Sequence, residues 1–299
     1  MVQIQARPPA YILYLLLRYF AFDMKERPLE KAELELLAHI LTKVEVTSEN
    51  LPVLRRQVAE IREEKGLEDD ALKAIKSIRE GAERVGAHED VANFYWERHL
   101  VNQHLVMYEL EKPEGERNQE VMDSALKEME EASLAGDEYI TVHNLTDLKK
   151  YSHRFLGKVA SYKGRHDEAE IHYREMAGLY EEIGHPRRLE AYAAIAGTLI
   201  MQGKIAEGMG LGRRTYADFD QSEDGKTLRE EDFSTWAVWK SGAAVHVSQG
   251  LLATNTIDPF KEGIIDWLID AKEVVEDPRN RYRIRIDEIE SLIKRIQTL

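Results

Sequence analysis

Residues 156–173 have the sequence LGKVASYKGRHDEAEIHY, and this stretch decides the fold. A run with helical apolar spacing ends at Gly164, and a second helical run follows it at once. Gly184 then separates this pair from another helical run, which ends at Gly203. Glycine ends helices readily because it adopts left-handed backbone angles at little cost. A helix, a tight turn, a second helix and a break that recur along a chain predict a stacked repeat protein.

Helical spacing of apolar residues extends along nearly all of the 299 residues. Leu72, Ile75 and Ile78, for example, recur at intervals of three and line one face of a helix. No segment shows the convincing alternation of apolar and polar residues that a half-buried strand requires. We therefore predict an all-α fold. The predicted helices cover residues 10–24, 28–44, 49–65, 68–85, 88–111, 117–134, 138–163, 166–183, 186–202, 204–219, 228–253, 258–276 and 278–298.

Glycines mark the spacing of the predicted helix pairs. The turns inside the pairs are predicted at Gly66, Gly164, Gly203 and Gly250. The first interval is about twice the later ones, which leaves room for one degenerate copy near Pro113. Gly136 is expected to end a helix in the same way. Residues 220–225 form the longest polar loop of the prediction.

The residue pattern around these turns resembles the tetratricopeptide repeat family. In that family, a helical hairpin has a small residue in helix A, a glycine before the turn and a small residue early in helix B. Gly157, Gly164 and Ala169 occupy these places, and Tyr173 is the large residue beside them. Small residues let two helices approach closely, and a large aromatic ring fills the space next to them. The resemblance is fair over residues 151–270 and weak over 50–135.

The resemblance implies antiparallel helix hairpins that stack into a right-handed superhelix, a solenoid. It implies a helical cap over residues 1–45, repeats over 46–276 and a capping helix over 277–299. It further implies that helix A of each hairpin lines a concave groove for a peptide. The groove residues that this register predicts are Tyr95, His99, Asn102, Gln103, Tyr151, Arg154, Lys158 and Lys240. Arg154, Lys158 and Lys240 would make the groove more basic than the rest of the chain, although solvated charges on ordinary helices remain an alternative.

The charge balance argues against nucleic-acid and membrane-surface partners. The chain has 41 lysines and arginines against 55 acidic residues, a net charge of −14, and no basic stripe. Binding to phosphates or to an anionic membrane surface depends on clustered lysine and arginine. Four arginines between residues 279 and 285 are interpreted as part of a solvated terminal helix, with an interaction surface as the alternative.

Cysteine usage and the N-terminal segment bear on location. The chain has no cysteine, which excludes disulfides and thiolate chemistry and is compatible with the cytoplasmic location that we expect. The apolar run at residues 11–22 is interrupted by Arg18 and is too short to cross a membrane. It also lacks the features of a signal peptide. We expect a buried first helix there, or a contact for a homodimer.

No catalytic or cofactor motif is present in the sequence. His143 and Asp147, expected four residues apart on one helix, would be the strongest candidate pair for a base or a metal ligand, but no third group accompanies them. We therefore expect no catalytic residue, metal or cofactor. The leading hypothesis is a non-enzymatic scaffold that binds a protein or peptide. The alternative is a regulatory sensor whose superhelix changes shape around a small peptide or metabolite, and an enzyme is the third possibility.

Overall fold

The structure, a computed structural model, describes residues 29–280 and 284–299. All regular elements in these ranges are helical, with no strand, so the predicted all-α fold is confirmed. The helices are α1 (Lys31–Leu41), α2 (Leu51–Arg62), α3 (Glu68–Arg84), α4 (His88–Glu111), α5 (Gln119–Val142), α6 (Lys149–Tyr162), α7 (His166–Glu182), α8 (Arg188–Met201), α9 (Ile205–Gln221), α10 (Glu223–Glu231), α11 (Phe233–Ala253), α12 (Lys261–Glu276) and α13 (Ile284–Gln297).

The chain divides into two compact units between Val101 and Asn102, inside α4. In the first unit, α1, α2 and α3 pack against one another. Arg55 of α2 pairs with Asp90 of α4 at 3.2 Å. The domain boundaries predicted after residues 45 and 276 do not coincide with this division. They concern the repeats and their caps, and they stay predictions. The N-terminal run at 11–22, with its expected helix and dimer contact, lies outside the described residues.

The second unit consists of helices that pack in chain order. Each of α5, α6, α7 and α8 contacts the next helix, and α8 contacts both α9 and α11. Helix α11 in turn packs against α12 and α13. Short turns join α6 to α7 and α8 to α9, so each of these two pairs is a helical hairpin.

Close packing inside the hairpins depends on small residues, among them Gly157, which the sequence pattern already placed in a helical hairpin. A Cβ atom on Gly157 would lie 2.7 Å from a ring carbon of Tyr173. A Cβ atom on Gly208 would lie 2.6 Å from Cγ1 of Ile200. Both distances are shorter than van der Waals contact, so only glycine permits the observed approach. The predicted pairing of a small residue in α6 with Tyr173 in α7 is confirmed.

The turn glycines are predicted correctly at three of four positions. Gly66, Gly164 and Gly203 have φ values of 89°, 72° and 80°. Gly250 lies inside α11 instead, where a Cβ atom would come within 2.9 Å of Ile200. The turn after α11 contains Asn255, at φ 52°. The prediction for Gly250 was wrong because this glycine serves helix packing rather than chain reversal.

Two other predicted breaks are also corrected. Helix α5 continues through Gly136, which is buried, because tertiary packing overrides the low helix propensity of glycine. The left-handed residue after α5 is Asn144, at φ 55°. Residues 223–231 form α10 rather than part of a loop, because the Ser222 hydroxyl accepts a hydrogen bond from the backbone N–H of Gly225 at 3.0 Å. The helix predicted at 228–253 is accordingly split at Asp232.

Candidate functional site

The predicted groove residues of the first unit are already engaged there. The Tyr95 hydroxyl accepts a hydrogen bond from Arg79 at 2.8 Å, and the Arg79 guanidinium lies 5.0 Å from the centre of the Tyr95 ring. His99 is completely buried. Asn102 and Gln103 lie in the second unit, and both are buried.

The second unit brings Gln103, Arg154 and Lys158 together with charged residues of other helices. Arg154 and Lys158 stand one turn apart on α6. The Arg154 guanidinium pairs with the Glu190 carboxylate of α8 at 2.6 Å. The Lys158 ammonium donates a hydrogen bond to the Gln103 side-chain oxygen at 3.1 Å. We call the following eight residues the charged cluster: Gln103, Arg154, Lys158, Arg187, Glu190, His246, Arg285 and Glu288.

Helices α11 and α13 supply the other side of the charged cluster. Arg285 and Glu288 form an ion pair within α13, and Gln249 of α11 donates to Glu288 at 3.0 Å. His246 of α11 lies against α8, where a Cβ atom on Gly197 would come within 2.9 Å of it. Burial, together with the positive charges of Arg285 and Lys158, lowers the pKa of His246 to about 3. His246 is therefore a neutral hydrogen-bonding group at pH 7.

Aromatic rings border the cluster beside Arg187. The Arg187 guanidinium lies 4.7 Å from the centre of the Trp239 ring and 4.9 Å from that of Tyr151. Its Nε atom is 3.7 Å from a carboxylate oxygen of Glu190. Cation–π contacts of this kind are stronger where water is partly excluded. The predicted groove residue Tyr151 thus lies at this aromatic border.

The charged cluster is only partly closed to water. The side chains of Arg154, Glu190 and Arg285 keep 17%, 13% and 16% of their surface exposed. Lys158 also keeps partial access to solvent, although protein atoms surround it. The cluster residues come from α4, α6, α8, α11 and α13, and we call the solvent-accessible surface that they share the recess. Partial exposure of charged side chains within so many helices is typical of a binding site rather than of a sealed core.

The electrostatic balance of the recess is positive. Four cationic side chains and two carboxylates belong to the charged cluster. Burial alone would raise the pKa of Glu190, but the charges of Arg154, Arg187 and Lys158 outweigh it and hold the pKa below its usual value. Burial, followed by the charge of Arg154, lowers the pKa of Lys158 well below its usual value. Lys158 is therefore the cation whose charge the surroundings stabilise least.

Lys240 is the predicted groove residue on α11 that the structure places elsewhere. Its ammonium pairs with Asp220 of α9 at 2.9 Å and with Asp270 of α12 at 2.8 Å. The Asp270 carboxylate also accepts a hydrogen bond from Tyr216 at 2.5 Å. The residues of α11 that lie at the charged cluster are instead Trp239, His246 and Gln249.

Sequence reasoning also missed residues that belong to the cluster. Arg285 was interpreted as part of a solvated surface, but its side chain is 16% exposed. Glu288 lies three residues after Arg285, and residues three apart share a helix face. This spacing was the sequence signal that Arg285 could form an ion pair. His246 carried no comparable signal, because its neighbours in sequence are small and apolar.

The candidate pair His143 and Asp147 does not lie on one helix. His143 follows the end of α5, with its ring 4.2 Å from that of Tyr139. Asp147 lies in a separate 3₁₀ turn. Residues 29–280 and 284–299 contain no group of three His, Cys, Asp or Glu side chains arranged to hold a metal ion.

A second depression lies between α5 and the start of α7. The charged groups in it already pair with each other, Arg165 with Glu130 at 2.9 Å and Lys163 with the same carboxylate. This depression therefore offers a ligand fewer uncompensated groups than the recess.

Among the described helices, none combines the length and apolarity that crossing a membrane requires. No protein-family model matches the chain, and no curated protein is significantly similar to it.

Proposed function

We propose that the chain is a non-enzymatic helical-repeat protein that binds a peptide or protein segment in the recess of its second unit. The observation that carries this proposal is the charged cluster, a set of charged side chains that are enclosed by helices yet still reached by water. The hairpins α6–α7 and α8–α9, packed in chain order, support the finer proposal of a tetratricopeptide-like superhelix.

The chemistry of the recess suits an extended peptide. Such a peptide presents unpaired backbone N–H and C=O groups, and Gln103 and His246 are neutral groups that can pair with them. The Arg187 guanidinium and the Tyr151 and Trp239 rings on either side of it form a preformed border for an apolar or aromatic anchor. Ion pairs hold much of the cluster in place before a ligand arrives, which reduces the entropy lost on binding.

The test is selection of peptides on the full chain, followed by affinity measurement with a recess variant. Ala194→Phe would project a large ring from α8, and the Ala194 side chain is 7% exposed. A large ring at Ala194 can disturb the core, so Ala194→Phe is not used in the test. The test uses Tyr151→Ala, which removes one ring at the border of the recess. We expect Tyr151→Ala to weaken peptide binding by about tenfold.

The control is Lys226→Met, which changes an exposed residue of α10 away from the recess. Peptides that bind the wild type and both variants equally would place the binding surface outside the recess. Failure to select any peptide from a diverse library would contradict the proposed function itself.

A second candidate function is a sensor of a small peptide or metabolite. The observation that favours the sensor is that five different helices, α4, α6, α8, α11 and α13, supply the residues of the charged cluster. A ligand that bridges these helices would favour one relative arrangement of the hairpins. A decrease in the radius of gyration in X-ray scattering on ligand addition would support the sensor, and an unchanged value would support the scaffold.

A further inference from the structure

Lys158 has no acidic partner in the charged cluster. Among the described residues, its ammonium donates a hydrogen bond to the neutral amide oxygen of Gln103, at 3.1 Å, and no carboxylate lies within 4.0 Å of it. The arginines differ in this respect, because Arg154 pairs with Glu190 and Arg285 pairs with Glu288. An enclosed ammonium without a counter-charge is unfavourable.

A second group in the recess also has unused hydrogen-bonding capacity. The Nε atom of Arg285 is buried and has no hydrogen-bond acceptor among the described residues. Arg187 Nε also has no acceptor, but Glu190 faces it at 3.7 Å, so a small shift completes that pair. Buried polar groups in folded proteins nearly always have a partner, and each exception calls for an explanation.

We propose that the recess binds its ligand through a carboxylate that pairs with the Lys158 ammonium and accepts a hydrogen bond from Arg285. The inference rests on the proposed function and names the chemical class of the peptide. The carboxylate comes from an aspartate or glutamate side chain or from the C-terminus of the peptide. The same chemistry serves either source, and the experiment below separates them.

The charge count of the cluster favours an anionic ligand such as a carboxylate. Arg154, Lys158, Arg187 and Arg285 outnumber the two carboxylates of Glu190 and Glu288 by two charges. One carboxylate leaves the site with a small positive excess.

The electrostatics of Lys158 agree with this geometry. Burial, and next the charge of Arg154, lowers the pKa of Lys158 well below its usual value, so the free site disfavours the ammonium. A ligand carboxylate beside the nitrogen favours the charged form and raises this pKa again. Binding above the pKa of the free protein is therefore accompanied by proton uptake.

The experiment selects binders on the full chain from three random heptapeptide libraries. The first is acetylated and amidated and contains all side chains. The second is acetylated and amidated but lacks Asp and Glu. The third also lacks Asp and Glu but has a free C-terminal carboxylate. If the carboxylate comes from a side chain, we expect binders from the first library, each with an aspartate or glutamate. If it comes from the C-terminus, we expect binders from the third library.

Affinities of the selected peptides for Lys158 variants complete the test. We expect Lys158→Met to lose about 30-fold or more in affinity, and Lys158→Arg, which keeps the charge, to lose much less. Lys226→Met is the matched control on an exposed lysine and should bind as the wild type does. Thermal unfolding checks that each variant is folded, and Lys158→Gln replaces Lys158→Met if the latter is not.

The outcomes separate the inference from the proposed function. Binders that come equally from the second library and bind the Lys158 variants unchanged would overturn the carboxylate inference and leave peptide binding in place. Absence of binders from all three libraries would overturn both.

Discussion

Lys158 shows how the requirements of binding and of stability oppose each other at a single residue. Its ammonium is enclosed by protein and has a neutral amide oxygen as its hydrogen-bond partner. An apolar side chain of similar length would pack in the same space without the cost of an uncompensated charge. A residue that destabilises the free protein in this way is typical of a functional site.

Lys158→Met should therefore raise the free energy of unfolding, by about 1 kcal/mol at pH 7. Because the pKa of Lys158 is lowered in the folded protein, the unfolded chain binds more protons between that pKa and 10.5. The Lys158 contribution makes the wild type more stable as pH rises through this interval, and the variant should lack that rise. Urea denaturation at several pH values measures both effects. A clear loss of stability in Lys158→Met, with Lys226→Met unchanged, would contradict this interpretation.

Gly157→Ala should destabilise the protein although alanine normally favours a helix. The added Cβ atom would lie 2.7 Å from the Tyr173 ring, and overpacking of this kind costs about 1–3 kcal/mol. Gly178→Ala is the matched control, because nothing lies within 4 Å of its added Cβ atom in α7. The control should gain about 0.5–1 kcal/mol from the better helix propensity. Equal effects of the two substitutions in thermal unfolding would refute the close-packing role of Gly157.

At the scale of elements, local chemistry explains most helix ends, and packing explains the exceptions. The turn after α6 is readable from Gly164, because a left-handed residue is needed there whatever the surroundings. Gly136 and Gly250 lie inside helices and were misread, because their role depends on neighbours distant in sequence. The break at Asp232 was missed because the residues on both sides of it are helical, so the prediction joined them into one helix.

Asp232→Ala should destabilise the start of α11. The Asp232 carboxylate accepts hydrogen bonds from the backbone N–H of Thr235 at 3.1 Å and from its hydroxyl at 2.6 Å. Loss of an N-cap costs about 1 kcal/mol, and no other residue replaces this one. Glu230→Ala, which removes a nearby exposed acid of α10, is the control. Thermal unfolding of the two variants should differ, and identical midpoints would exclude a capping role for Asp232.

At the scale of the whole molecule, the sequence predicted the helical class well and the site only in part. Periodicity and turn residues act locally, so they predict an all-α chain and its hairpins. The charged cluster depends on the relative rotation of α6, α8, α11 and α13, which no local pattern records. Arg154, Lys158, Gln103 and Tyr151 follow one register on neighbouring helices and lie in or beside the charged cluster, whereas Lys240 pairs with Asp220 and Asp270. Their role in binding stays a prediction.

The positive recess within a chain of net charge −14 makes binding sensitive to salt. The acidic surface repels an acidic peptide at a distance, while the recess attracts it at contact. Screening reduces interactions between exposed charges more than those between enclosed ones. Raising the salt concentration should therefore speed association, and it should weaken the complex only modestly. Surface plasmon resonance at two salt concentrations measures both rates, and slower association at high salt would contradict this view of the surface field.

The most direct measurement is a crystal structure of the full chain with the tightest peptide from the libraries. The account predicts a ligand carboxylate oxygen within about 3 Å of the Lys158 Nζ atom, between α6 and α13. A peptide bound at another surface, or one in the recess that leaves Lys158 in contact with Gln103 alone, would contradict it.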